Sequence, residues 1–252
     1  MRTFAGEALI LDVFDLHETD RIVTFLTRER GKTKGVAKGA RRKYSRFAGE
    51  LQPLARVKVR WFEKEGRELV RIGDVDLVRP AARFQEDLEG ILVGGYLAEQ
   101  AAEFVQEDEA AELPFRLLDS TLEALLAGVD RDLAARYFEA WILRLAGIFP
   151  APTECPLCER PFADVAAGGA VLPPGEDALV CRECAGGGAT GARPGPASGA
   201  RPGPASGLGI APDVLDFLLR IGRERLSDLA LRPPPPGVLR RAEELAREVR
   251  RR

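Results

Sequence analysis

The stretch DRIVTFLTRERGKTKGVAKGARRK, residues 20–43, decides how the first part of the chain folds. Its first half, IVTFLT, alternates roughly with period two, the pattern of a strand with one face buried. A charged turn ending at Gly31 interrupts it, and KTKGVAKGA then resumes in extended style. Working outward, GEALILDVFDL (6–16), ARVKVRWFEKEG (55–66) and RELVRIGDVDLV (67–78) are further short runs rich in Val, Ile, Phe and Leu. VKVRWF also alternates with period two, and Arg56, Lys58 and Arg60 share one face of the strand. Strand geometry sends the adjacent Trp61 and Phe62 to opposite faces. Five short strands within 80 residues suit a small barrel, for which the OB-fold is the commonest five-stranded candidate.

The period changes after Pro80. Phe84, Leu88, Ile91, Leu92, Leu97 and Phe104 recur at helical spacing, and residues 114–127 and 131–148 do the same. Such segments with short breaks imply a helical bundle. Residues 151–190 form a cysteine-bearing insert. GARPGPAS then occurs twice without change, at 191–198 and 199–206, in a Gly/Pro-rich linker (191–207) unable to pack a core. Helical pattern returns at 212–225 and, after Pro233–Pro236, at 237–249, segments expected to fold back on the bundle. The expected architecture is therefore an α+β multidomain chain. It has an OB-fold barrel at 1–80, a helical domain built from 81–150 and 208–252, and the insert between those two parts.

The net charge of −2 conceals a strong asymmetry: +6 over residues 1–80, −9 over 81–150, −2 over 151–207 and +3 over 208–252. A basic working surface joined to acidic supporting parts fits this pattern. Lys32, Lys34, Lys38, Arg41, Arg42, Lys43 and Arg46 crowd one segment, and Arg56, Lys58 and Arg60 form a stripe along the fourth strand. These ten residues are candidates to bind a phosphate backbone and release its counterions. Tyr44 and Phe47 lie among them, where an aromatic ring can stack on a base. No base-reading motif is present, so the expected binding is backbone-dominated and weakly selective. Two other classes use the same features: an RNA-binding OB protein, or an interaction scaffold whose basic face serves only solubility. Arg220, Arg223 and Arg225 make a second, smaller basic patch, either a DNA contact or a helix end complementing its dipole.

Cys155-Pro-Leu-Cys158 and Cys181-Arg-Glu-Cys184 contain all four cysteines. Each C-x2-C turn supplies two thiolates, and two turns complete a tetrahedral zinc site with no open position, hence a structural one. The alternative is a pair of reduced turns without metal. Gly31-Lys32-Thr33 imitates the end of a phosphate-binding loop, but Leu26 stands where that pattern needs glycine. His17, the only histidine, has no nucleophile tied to it, and Glu107, Asp108 and Glu109 read as the solvated end of a helix. No catalytic constellation emerges, so a non-enzyme is expected. No run of apolar residues is long enough for a membrane helix, and no secretory signal is recognisable, which together predict a cytoplasmic protein with no membrane partner.

The order of Asp20-Arg21-Ile22-Val23-Thr24-Phe25-Leu26-Thr27, then Arg30-Gly31-Lys32, then Gly35-Val36-Ala37-Lys38-Gly39-Ala40-Arg41-Arg42 resembles the N-terminal domain of the RecO family. Leu51-Gln52-Pro53-Leu54 and Glu68-Leu69 continue the likeness, and the four-cysteine insert after a helical segment is similar to the family's zinc module. The duplicated linker departs from the family pattern. The resemblance implies a DNA repair and recombination mediator that binds single- and double-stranded DNA and anneals complementary strands without ATP. It also implies action with RecR and the single-stranded DNA-binding protein SSB ahead of RecA loading, association with the nucleoid, and one structural Zn2+.

Overall fold

The computed structural model describes residues 1–47, 49–66, 68–186 and 207–251. The duplicated GARPGPAS segment lies outside the described residues. The chain divides into two compact units, Met1–Arg131 and Asp132–Arg252.

The first unit is built on a closed barrel of five strands, β1 (Arg2–Leu16), β2 (Asp20–Thr27), β3 (Gly31–Ala37), β4 (Arg56–Glu63) and β5 (Val70–Arg79), in the cyclic order β1-β2-β3-β5-β4. The long β1 serves two neighbours. Its first half pairs with β4 and its second half with β2, and an irregularity between Ile10 and Asp12 lets it bend between them. Closure rests on a short parallel contact of β3 with β5, Gly35 opposite Val70 and Val36 opposite Arg71. A Cβ on Gly35 would stand 2.8 Å from both Val70 Cγ2 and Ile72 Cγ1, so this seam needs glycine. Val57, Val59 and Trp61 point into the barrel, as their alternation requires, and Trp61 packs between Phe4 and Phe25.

Helices α1 (Leu88–Phe104) and α2 (Glu112–Leu126) cover the barrel. Asp87 caps α1 through the Gly90 amide, at 2.7 Å. The helices leave Thr24 and Leu26, which alternate outward from β2, buried nonetheless. The division at residue 131 places α1 and α2 in the unit that holds the barrel.

In the second unit, α3 (Arg131–Leu145) leads to the cysteine insert, which holds α4 (Phe162–Val165), β6 (Ala170–Leu172), β7 (Val180–Cys181) and α5 (Arg182–Ala185). Strand β8 (Leu208–Ile210), beyond the linker, pairs with β6 to complete a three-stranded sheet in the order β7-β6-β8. The insert is thus closed by residues assigned from sequence to the returning helical part. Helices α6 (Pro212–Ile221), α7 (Leu226–Leu231) and α8 (Pro236–Arg250) follow. An apolar cleft bounded by Ala140, Leu143, Phe217, Leu245 and Val249 marks where α3, α6 and α8 meet, so the last helices do fold back on α3.

Candidate nucleic-acid interface and metal centre

The ten candidate cations occupy three places. Lys32 and Lys34 point outward from β3, but the chain itself engages them. Lys32 Nζ donates to the Ala102 carbonyl at 2.7 Å, in the last turn of α1, where a cation complements the helix dipole. Lys34 pairs with Glu107 at 3.7 Å. The acidic residues 107–109 are exposed, as expected, but they follow α1 and are not its last turn. They lie along the β2–β3 hairpin, bridged to Gly31 and Lys32, with the Lys32 amide donating to Gln106 O (3.1 Å) and the Ala111 amide to Arg28 O (2.7 Å). Asp108 binds Arg30 at 2.5 Å, and Glu112 binds Arg28 at 2.7 Å. Arg28, Arg30 and Lys34 of the hairpin are thus paired with carboxylates of the chain itself, and Lys32 is held by a carbonyl.

The second place is the connection from β3 to β4, residues 38–55, which carries Lys38, Arg41, Arg42, Lys43 and Arg46. It is fixed at both ends. The Gly39 amide donates to Asp20 Oδ1 at 2.8 Å, a bond that holds the Asp20 carboxyl below its usual range. The Arg41 amide donates to Thr19 O, and its guanidinium reaches His17 O at 3.0 Å and Asp15 at 3.3 Å. Arg41 thus braces the β1–β2 turn. At the other end Phe47, Leu51 and Leu54 are buried, and the Leu54 amide donates to Ile10 O at 2.7 Å. Lys38, Arg42 and Lys43 are exposed between these anchors and form no ion pair among the described residues.

The third place is β4. Lys58 and Arg60 are exposed on one face, as the alternation predicts. Arg60 and Arg46 share Asp74, at 3.5 and 3.7 Å, so the strand's cations run on from those of the connection. Arg56 is different. Its guanidinium binds Glu7 at 2.7 Å and Asp119 of α2 at 2.7 Å, and Asp119 also binds Arg79 at 2.8 Å. Hydrogen bonding to Glu7 raises the Arg56 pKa, and the same bond lowers that of Glu7 against the opposing effect of burial. Arg56 therefore joins α2 to the barrel. Of the two aromatics, Tyr44 is 90% exposed, whereas Phe47 is 2% exposed, a core residue beneath Arg46. In the other unit Arg220 is held by Glu224 at 3.0 Å and by the Arg232 carbonyl at 2.9 Å, while Arg223 and Arg225 are exposed.

The cysteines converge as their spacing predicts. The four Sγ atoms all lie within 4.8 Å of one another, and Cys158 and Cys181 are 3.9 Å apart. Cys155 and Cys158 sit on a tight turn in which the Cys155 amide donates to Arg160 O and the Glu159 amide to Cys155 O. Glu159 completes that turn with φ of 56°, a left-handed conformation. Cys181 ends β7 and Cys184 lies in α5. The Cys181 amide points at Cys155 Sγ (3.4 Å), and an Arg160–Glu183 ion pair ties the two turns together. Burial, then the neighbouring Cys181 and Cys158 sulfurs, push the Cys184 thiol up. Burial also acts to raise the Cys158 thiol, but hydrogen bonds from Arg160 outweigh it and hold Cys158 at about 6. Burial raises the Cys181 thiol as well, and a cation bound among the four sulfurs would favour the thiolate forms that burial opposes. The group is placed to bind one metal ion.

The family model for the N-terminal part of recombination protein O matches residues 1–81, and that for its C-terminal part matches residues 85–200. The DNA repair protein RecO of Anaeromyxobacter sp. (strain K) is 34% identical over 236 residues, 94% of this chain and 85% of that protein. That of Geobacter sulfurreducens is 36% identical over 207 residues, covering 76% and 84%, and that of Myxococcus xanthus is 38% identical over 179 residues, covering 69% and 73%. The chain belongs to the RecO family.

Within this RecO chain, sequence reading missed the residues that are functional through placement alone. Asp119 could not be singled out, because its partners Arg56 and Arg79 are distant in sequence. The acidic segment carried one usable signal, its position just after a helical period ends, but nothing local paired it with the hairpin. No helix among the described residues is long and apolar enough to cross a membrane.

Proposed function

We propose that this RecO-family protein is a mediator of recombinational DNA repair that binds single- and double-stranded DNA through its barrel and anneals complementary strands without nucleotide hydrolysis. In this reading it works in the cytoplasm at the nucleoid, with RecR, and helps load RecA onto SSB-coated DNA. The observation that carries the reading is the pinned connection presenting Lys38, Arg42 and Lys43, all exposed and none in an ion pair within 4 Å among the described residues, continued by Lys58 on β4. Unpaired cations on a fixed backbone neutralise phosphates without first breaking an internal ion pair, and they release the nucleic acid's counterions. Annealing follows from the same physics. The surface screens two phosphate backbones that otherwise repel, and base pairing supplies the driving force, so no catalytic group is needed. Arg46 and Arg60, which share one acid, and Lys34, facing Glu107, are secondary contacts. Lys32, Arg41 and Arg56 serve the barrel's architecture.

The metal in this reading is zinc, one structural ion held by Cys155, Cys158, Cys181 and Cys184. Thiolates about 2.3 Å from zinc stand about 3.8 Å apart in a tetrahedron, close to the 3.9 Å between Cys158 and Cys181. When bound, the ion would tie the two turns to the small sheet.

Reversing charge at Lys38, Arg42 and Lys43 together tests the interface. On a single strand, each phosphate that the protein ceases to neutralise lowers the slope of log affinity against log salt by about 0.7. The triple variant should therefore bind far more weakly, with a slope shallower by about 2. Unchanged affinity and slope would remove this surface from the proposal.

A further inference from the structure

We infer that Tyr44 is a base-stacking residue that gives the basic surface a preference for single-stranded over double-stranded DNA. The inference rests on the DNA-binding reading above and deepens it. Tyr44 is 90% exposed, the most exposed aromatic of the described chain, while its companion Phe47 is in the core. An aromatic ring left wholly in water contributes nothing to folding, and the surrounding turn does not need it. The Arg42 amide donates to Gly39 O at 3.1 Å and the Ser45 amide to Arg42 O at 3.0 Å, so backbone bonds and the buried Phe47 set the turn's shape. The ring therefore projects from a fixed base.

Its surroundings select the ligand. Lys43 Nζ lies 5.6 Å from the Tyr44 ring centroid, and Lys38 and Arg42, exposed in the same connection, form no ion pair among the described residues. Arg46 follows, and through Asp74 it adjoins Arg60 of β4. A flat apolar face inside a row of cations matches a polymer that alternates flat bases with phosphates. It does not match an acidic peptide, which would use the cations and leave the ring idle. In a single strand a base can turn out and stack on the ring while its phosphates meet Lys38, Arg42 and Lys43. In a duplex every base is already stacked and paired, and exposing one costs several kcal/mol. The duplex therefore meets the cations alone.

The test uses the full chain and fluorescent oligonucleotides of equal length, single- and double-stranded, titrated over a range of salt. Tyr44→Ala should weaken single-strand binding about tenfold, as expected for one stacked base, with an unchanged salt slope and unchanged duplex affinity. Tyr44→Phe should bind like the parent, since stacking needs the ring and not the hydroxyl, whereas Tyr44→Leu should resemble Tyr44→Ala. The exposed position leaves folding intact in all three. Equal weakening on both DNA forms, or no weakening on either, would overturn the inference. If the parent protein binds neither DNA, the DNA-binding reading itself fails.

Discussion

Replacing Gly31 with alanine should open the β2–β3 hairpin. Gly31 has φ of 58°, and a Cβ there would stand 2.5 Å from both Gln106 O and Glu109 O. Two costs are separable. The left-handed backbone disfavours any side chain by about 1–2 kcal/mol. Overpacking against backbone that cannot swing aside adds about 1–3 kcal/mol. The carbonyls that must retreat carry the docked acidic segment, so the bonds Lys32 N–Gln106 O and Ala111 N–Arg28 O weaken with them. The sum is about 2–5 kcal/mol. Gly128 supplies the control, because it has φ of 88° at the end of α2 and nothing within 4 Å of its Cβ position. Gly128→Ala should therefore cost only about 1 kcal/mol. Urea unfolding in a Trp141→Phe background, where Trp61 alone reports on the barrel, measures both. Gly31→Ala should lower the midpoint by roughly 1–2.5 M, for a slope of about 2 kcal/mol per M. Equal losses at the two glycines would refute the close approach of residues 106–109 to the hairpin.

Other consequences follow from the same contacts. Asp119→Ala should destabilise the first unit by about 2–3 kcal/mol, below the usual cost of breaking a buried pair because Arg56 keeps Glu7 and Arg79 keeps Glu123; urea unfolding by Trp61 emission checks this. The lowered pKa of Glu7 means its ionised form favours the folded state, so its contribution is present above the reference value of 4.5 and is lost as pH falls through the lowered folded value. Glu7→Gln should thus narrow the stability difference from the parent as pH is taken from about 6 to about 3, and a pH-independent difference would contradict it. Elemental analysis should find one zinc per chain, and removal by a strong chelator should speed amide exchange across residues 154–186 while the barrel amides stay protected.

The barrel was legible because its signal is local. Arg56, Lys58 and Arg60 alternate along β4, and period two puts Trp61 and Phe62 on opposite faces; the structure shows that Trp61 is the inward one. The cysteine cluster was legible for the same reason, since a C-x2-C spacing encodes its own turn. What the alternation could not give was each cation's partner. Arg56 and Lys58 share a face, yet Arg56 is bound from two directions while Lys58 is exposed, a difference made by α2 more than fifty residues away. Phe47 sits among charges and reads as surface, but the chain turns there and carries it under Arg46. The acidic residues 107–109 follow a helix and read as its solvated end, because their bridge to Gly31 crosses some seventy-five residues of sequence.

In the proposed function the barrel's exposed cations bind and anneal DNA. Salt titration of binding to fluorescent single-stranded DNA, with complementary-strand annealing followed in the same samples with and without ATP, tests it most directly. The protein should bind tightly at low salt, with a steep negative dependence of log affinity on log salt, and should anneal at equal rates whether or not ATP is present. Absence of binding at low salt would contradict it and make the exposed Lys38, Arg42, Lys43 and Lys58 a device for solubility.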